Sequence, residues 1–254
     1  MKIVIITQND PFYLADNLKY LIQILPKHSE IIGCVVNDVS PFGKKETFIQ
    51  KAKKTYNIFG WNFFLHYAIK FISNKFNSKK NVRKLLKDNS IKEIVLEKHI
   101  NHEDSIKKIK QFKPDLLLSI LGNQIFKKQI IELAPKGCLN LHTALLPKYR
   151  GLMPSFWVLK NNEKYTGASV FFVDKGIDSG PIIVQKKIEI KSRNLEELII
   201  HTKRVGMEAI TEAINLIEND NLQLIENDSQ KMTYFSFPTK EDVNVFLKNG
   251  KRFY

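Results

Sequence analysis

The chain has few cysteines: two in 254 residues, Cys34 and Cys138. Both sit in apolar surroundings, which fits buried thiols better than a disulfide and makes the cytoplasm the expected compartment. No stretch holds the roughly 20 consecutive apolar residues that a membrane helix needs. The opening MKIVIITQND carries too short an apolar run for a secretion signal and is expected to form a first strand. No internal period marks a solenoid or an array. A G-x-G-x-x-G is missing after that first run, where Gln8-Asn9-Asp10-Pro11 stands instead, so the dinucleotide fingerprint is absent. Acidic residues are scarce: 26 Asp and Glu against 40 Lys and Arg, a formal charge of +14. That excess either favours anionic partners (nucleic acid, phosphorylated metabolites, an acidic membrane surface) or only solvates the surface.

What is present reads as an α/β protein. Lys2–Thr7 and Glu30–Val36 are β-branched runs, with shorter strands expected at Ile94–Leu96 and Asp115–Leu121. Between them, Pro11–Leu25 and Glu103–Phe112 show helical spacing, the second capped by Asn101 or Asp104. Strands alternating with helices predict a mainly parallel sheet flanked by helices. Ala168–Val173 and Ile182–Ile190 then form a hairpin-like pair, and Leu195–Ile217 is the longest helix. The segment Phe59–Phe76 has a wide aromatic face interrupted by Asn62, His66, Lys70 and Lys75. It is expected to be buried in the protein or at a dimer contact rather than lying on a membrane.

The chemistry concentrates in CLNLHTALLPKYRG, residues 138–151. If Cys138–His142 is extended, side chains alternate: Asn140 and His142 share one face, and Leu139 and Leu141 pack on the other. A histidine at a strand end is more often structural than catalytic. The loop Leu145-Leu146-Pro147-Lys148-Tyr149-Arg150-Gly151 follows, then Pro154-Ser155-Phe156-Trp157 entering a helix, then Thr166-Gly167. Asp174-Lys175-Gly176-Ile177-Asp178-Ser179-Gly180-Pro181 closes the series as a sharply bent loop in which Asp178 either serves chemistry or only caps its own turn.

In this order, N-x-H, L-L-P-K-Y-R-G, T-G and V-D-x-G-I-D-x-G-P-I resemble the formyltransferases that use 10-formyltetrahydrofolate. The likeness is dense from Pro114 to about Gln185 and looser in the first strands and around Thr233-Tyr234 and Pro238-Thr239. The resemblance implies a Rossmann-like formyltransferase fold over residues 1–218, with 219–254 as a short C-terminal extension. It implies Asn140, His142 and Asp178 as catalytic residues. The segment SILGNQ would line the folate pocket through Ser119, Leu121, Gly122 and Asn123, joined by Asp174 and Gly176. Those residue types suit formyl transfer to an amine. The Asn140 amide can donate to a developing anionic oxygen, worth about 2.7–4 kcal/mol for such a donor. An imidazole such as His142 can take the amine's proton near neutral pH, and a carboxylate such as Asp178 can orient that ring. This chemistry calls for no metal.

Among the family's acceptors, a nucleotide-linked amino sugar is expected, with surface-polysaccharide or glycan assembly as its use. Methionyl-tRNA formyltransferases carry a C-terminal nucleic-acid-binding barrel, and the stretch after the long helix is too short for one, so nucleic acid is not the expected partner. Asn9, Phe12, Tyr149 and Arg150 are the candidate acceptor contacts. Phe12, Tyr13 and Phe42, in the loops Asn9–Tyr13 and Asp38–Gly43, offer rings for stacking or simply pack in the core. A homodimer is expected. A methionyl-tRNA formyltransferase-like enzyme without that barrel, or a non-catalytic binding module, remains open at this point.

Overall fold

The computed structural model describes residues 1–37, 47–122 and 124–254. Its centre is a seven-stranded sheet. Strands β1 (Lys2–Gln8), β2 (Glu30–Asn37), β3 (Lys92–Glu93), β4 (Leu116–Ser119) and β5 (Cys138–His142) are parallel to their neighbours. β7 (Tyr165–Phe172) and β8 (Ile182–Glu189) extend the sheet antiparallel, in the order β3-β2-β1-β4-β5-β7-β8. A separate two-stranded ribbon joins β6 (Arg150–Gly151) to β9 (Tyr234–Phe235) in parallel.

The run IVII of β1 is buried on both faces, as a central parallel strand must be. Ile3 and Ile5 face α1 (Leu14–Ile24), α3 (Val82–Asp88) and α7 (Leu195–Glu218) in one core, while Val4 and Ile6 share a second core with α4 (Glu103–Lys110) and α5 (Lys128–Ile131). The alternation read from CLNLH holds: Leu139 and Leu141 lie in the first core and Cys138 in the second. α7 comes close over β5 because Gly206 has no side chain; a Cβ there would stand 2.7 Å from Leu141. α6 (Pro154–Lys160) and α8 (Lys240–Lys248) build a third core around Phe156 and Phe246, whose rings stack at 4.9 Å.

The expected elements are present with shifted ends. The first helix begins at Leu14, not Pro11, because the Asp10 carboxylate takes the N–H groups of Phe12, Tyr13 and Leu14 and closes a turn ahead of it. The strand expected at Ile94–Leu96 pairs instead at Lys92–Glu93; Ile94 makes one more backbone bond, to Cys34, and the chain then leaves the sheet. α4 is capped by neither Asn101 nor Asp104 but by His102, whose Nδ1 accepts from Asp104 N. Asn101 Oδ1 accepts instead from Lys127 N at 2.7 Å.

Helix α2 (Phe48–Phe76) contains the aromatic segment and starts from a reciprocal Thr47/Gln50 cap. It breaks at Gly60, which has φ 82°. That angle strains any residue with a Cβ, so glycine marks the bend. The two arms fold toward each other, bringing the Phe48 and Phe71 rings to 6.1 Å. Burial within the chain is one-sided: Phe59, Phe63 and Tyr67 face the protein while Trp61, Leu65, Ile69, Ile72 and Phe76 are exposed. No helix among the described residues is long and apolar enough to cross a membrane.

Candidate active site

In a parallel sheet the strand order reverses at one place, and ligands gather beyond the carboxyl ends of the strands there. Here the order reverses between β1 and β4. A cavity of ≈ 400 Å³ opens at that end, lined by Gln8 after β1, Ile120, Leu121 and Gly122 after β4, and Asn140 and His142 on β5. Ile177 and Asp178 also line it, as do Tyr13 just before α1, Asn17 on α1 and Lys203 on α7.

The three expected catalytic side chains therefore meet. Asn140 is half-buried on the β5 face shared with His142. His142 is 6% exposed. Its Nε2 lies 2.7 Å from the Tyr149 carbonyl oxygen and its Nδ1 lies 3.5 Å from Asp178 Oδ2. A carbonyl only accepts, so Nε2 carries a hydrogen and Nδ1 is the nitrogen left to exchange a proton. Asp178 has φ 50°, a left-handed conformation that Asp tolerates, and the same Oδ2 accepts from Gly151 N at 2.9 Å. The carboxylate thus faces Nδ1, which it can pair with only when that nitrogen carries a proton, and it caps the bent loop.

The other expected residues divide. Leu121 and Gly122 line the cavity, with Leu121 at φ 57°, which turns the backbone after β4 inward. Ser119 is buried beneath them; a Cβ on Gly122 would meet its Oγ at 2.4 Å. Asn123 lies outside the described residues, as does the 38–43 loop with Phe42. Asp174 Oδ1 accepts from Gly176 N at 2.9 Å and from Ser179 Oγ at 2.5 Å, so this pair shapes the loop that carries Asp178 and does not itself line the cavity.

The four expected acceptor contacts are all placed away from the lining. Asn9 is exposed and bonded to Asn37 through its backbone, and the Phe12 ring packs on Tyr67 at 5.6 Å. Tyr149 donates its hydroxyl to Glu163 at 2.7 Å and stacks on Phe235. Arg150 is 4% exposed, and its Nη2 donates to Asn227 O and Oδ1. Tyr149 and Arg150 act as scaffold: burial of so large a cation requires partners, and the C-terminal tail supplies them. Asn227 Nδ2 in turn donates to the carbonyls of Asp178 and Gly180, both at 2.9 Å, and Thr233 Oγ1 accepts from Tyr149 N at 2.8 Å.

Lys203 is the cavity residue that sequence reasoning passed over. It interrupts the apolar series Ile199–Lys203–Met207 on the inner face of α7, and a lysine at i, i+4 spacing inside such a stripe is the signal that could have found it. Burial holds its ammonium below the usual lysine range, and the Asp10 carboxylate opposes that shift. Cys138 sits behind the site, and burial pushes its thiol far above the ordinary range.

A family model described as formyl transferase matches residues 68–214, more than half of the chain, and the chain belongs to that family. The methionyl-tRNA formyltransferase of Kosmotoga olearia is 37% identical over 157 residues, covering 61% of this chain and 50% of that protein. The chain spans about half the length of the curated relatives it matches. Among solved structures, the N-formyltransferase from Helicobacter canadensis, in complex with folinic acid and dTDP-3-aminofucose, superposes with TM-score 0.60 at 19% identity, over 98% of this chain and 80% of that one. The phosphoribosylglycinamide formyltransferase of Anaplasma phagocytophilum gives 0.63 at 14%, over 92% and 98%. At such identities the likeness is one of fold, and the fold is the mainly parallel formyltransferase sheet with flanking helices.

Proposed function

We propose that the chain is an N-formyltransferase that moves the formyl group of 10-formyltetrahydrofolate to the amino group of a nucleotide-linked amino sugar. The observation that carries this reading is the meeting of Asn140, His142 and Asp178 at one end of a cavity beyond the switch point of the sheet. The donor supplies the formyl carbon. Leu121 and Gly122, with Ile177, are the residues suited to hold it, because they line the cavity where the chain turns after β4. Asn140 donates a hydrogen bond to the oxygen on which charge develops. His142 Nδ1 takes the proton that the amine loses, and Asp178 stabilises the resulting imidazolium.

For the acceptor, Tyr13 offers a ring and Lys203 a cation 5.9 Å from it in the same cavity, a pairing that suits a nucleoside diphosphate. The complex of the H. canadensis enzyme with dTDP-3-aminofucose supports the same reading. The competing acceptor is an aminoacyl-tRNA, favoured by the sequence matches and by the +14 charge. The test is turnover with 10-formyltetrahydrofolate and a panel of nucleotide-linked amino sugars, with dTDP, UDP and bulk tRNA as competitors. Turnover of one sugar, inhibited by its nucleoside diphosphate, supports the proposal. Strong inhibition by tRNA at physiological salt with no effect of any nucleoside diphosphate sinks the sugar and leaves the tRNA reading.

A further inference from the structure

The outer side of α2 is not explained by formyl transfer. Trp61, Leu65, Ile69, Ile72 and Phe76 recur at i, i+4, i+8, i+11 and i+15, a single stripe along one side of the second arm. Each leaves between 43% and 84% of its surface open. The first arm adds exposed Phe48, Ile49 and Tyr56, and the Tyr56 ring meets Trp61 edge-on at 6.2 Å. An apolar surface built from two adjoining arms is larger than the scattered exposed hydrophobes of an ordinary protein surface and marks an interaction site.

Charge selects the occupant. Residues 47–87 contain ten Lys and Arg and not one Asp or Glu. Lys70, Lys80 and Arg83 find acids elsewhere, in Glu196, Asp16 and Glu93. Lys53, Lys75, Lys79, Lys84 and Lys87 are exposed. A second copy of this chain would bring the same lysine-rich surface against itself, and like charges would oppose the contact. An acidic bilayer surface fits both features at once. Apolar side chains and a tryptophan enter the boundary between headgroups and acyl chains, and lysine stems lie along it with their ammonium groups among the phosphates.

We infer that the bent helix α2 docks the protein on acidic lipid bilayers, with the Trp61–Leu65–Ile69–Ile72–Phe76 stripe inserted and the neighbouring lysines held by anionic headgroups. The helix lies in the surface and does not cross it. Its inner side bears on the reaction cavity: Lys70 sits 5.1 Å from the centre of the Tyr13 ring, which lines that cavity. Docking would therefore hold the cavity about one helix diameter, roughly 10 Å, from the lipid headgroups. This inference does not depend on which amine is formylated.

The test is co-flotation of the full chain with vesicles of phosphatidylcholine alone or mixed with phosphatidylglycerol. Trp61 fluorescence is a second readout, because the other tryptophan, Trp157, is 6% exposed and already shielded from water. The expected result is binding to the mixed vesicles only, weakened by salt, with a blue shift of the emission. The combined change Trp61→Ser, Leu65→Ser and Ile69→Ser should weaken flotation at least about tenfold while thermal melting shows a folded protein. Lys75→Gln and Lys79→Gln should each weaken it roughly fivefold. No flotation or blue shift of the unaltered protein with acidic vesicles overturns the inference, as does undiminished binding by the folded triple variant. A concentration-dependent dimer that the serine changes abolish, with no vesicle binding, would assign the stripe to a second copy instead.

Discussion

The ring nitrogen Nε2 of His142 lies 2.7 Å from the backbone carbonyl oxygen of Tyr149, and this contact fixes which way the imidazole works. The carbonyl holds the hydrogen on Nε2, which leaves Nδ1, the atom that faces Asp178, as the nitrogen the proposed transfer would use. Asn140→Ala is expected to lower turnover by about 10²–10³-fold, the usual loss for one oxyanion donor. His142→Ala should remove nearly all turnover and cost about 1–3 kcal/mol of stability through the carbonyl it leaves unpaired. Turnover paired with thermal melting checks both. Substantial activity in both folded variants would dismiss the assignment of the site.

Asn227 offers a sharper test, because it does not itself line the cavity. Its amide joins Asp178 and Gly180 to Arg150. Asn227→Ala is expected to destabilise the fold by about 1–3 kcal/mol and to lower kcat more than it raises KM, since the Asp178 loop loses its anchor. A variant with unaltered kcat would show that the loop holds its shape without the tail.

The two cysteines should stay silent. Burial raises the Cys34 thiol to about 12 and lifts that of Cys138 further, and only the thiolate is reactive. Titration with a thiol reagent at neutral pH is expected to label neither in the folded protein and both after denaturation. Fast labelling of Cys138 with loss of activity would show that the back of the site opens.

Stability should fall at alkaline pH for a specific reason. Burial raises the phenols of Tyr13, Tyr67 and Tyr149, the last to about 12. In the unfolded chain they ionise near 10. Above that pH the unfolded state has released protons that the folded state keeps, so unfolding becomes easier as pH rises. The contribution is fully present below about 10 and is lost through the folded-state values. Absorbance at 295 nm with melting curves from neutral pH to 12 follows both events. Full ionisation of all tyrosines near 10 with no loss of stability would contradict this.

Much of this was legible in the sequence because it rests on short-range pattern. The period-two alternation of CLNLH placed Asn140 and His142 on one face, and the Gly- and Pro-bounded loop placed Asp178 near them. On the helical side of the cavity, Tyr13 was read as a ring available for stacking, but Asn17 and Lys203 were not read. Lys203 reaches the cavity from a helix far along the chain, and its neighbours Tyr13 and Asn17 come from the start of another; only tertiary packing brings them together. Arg150 misled for a complementary reason. A cation beside a catalytic motif looks available for substrate, and what consumes it is Asn227, distant in sequence and unmarked by any motif. In α2 the wide aromatic face was legible, but the bend at Gly60 was not, and it turns one arm against the other and leaves the outer stripe uncovered within the chain.

The ties from Asn227 and Thr233 also set an order of events during synthesis. A ribosome makes Asn140, His142 and Asp178 well before it makes the residues that brace them. Until positions 227–235 have left the exit tunnel, Tyr149 N lacks Thr233, Arg150 lacks Asn227, and the β6–β9 ribbon has only one strand. A nascent chain therefore holds Asn140, His142 and Asp178 before the contacts from Asn227 and Thr233 that brace the loops beside them can form.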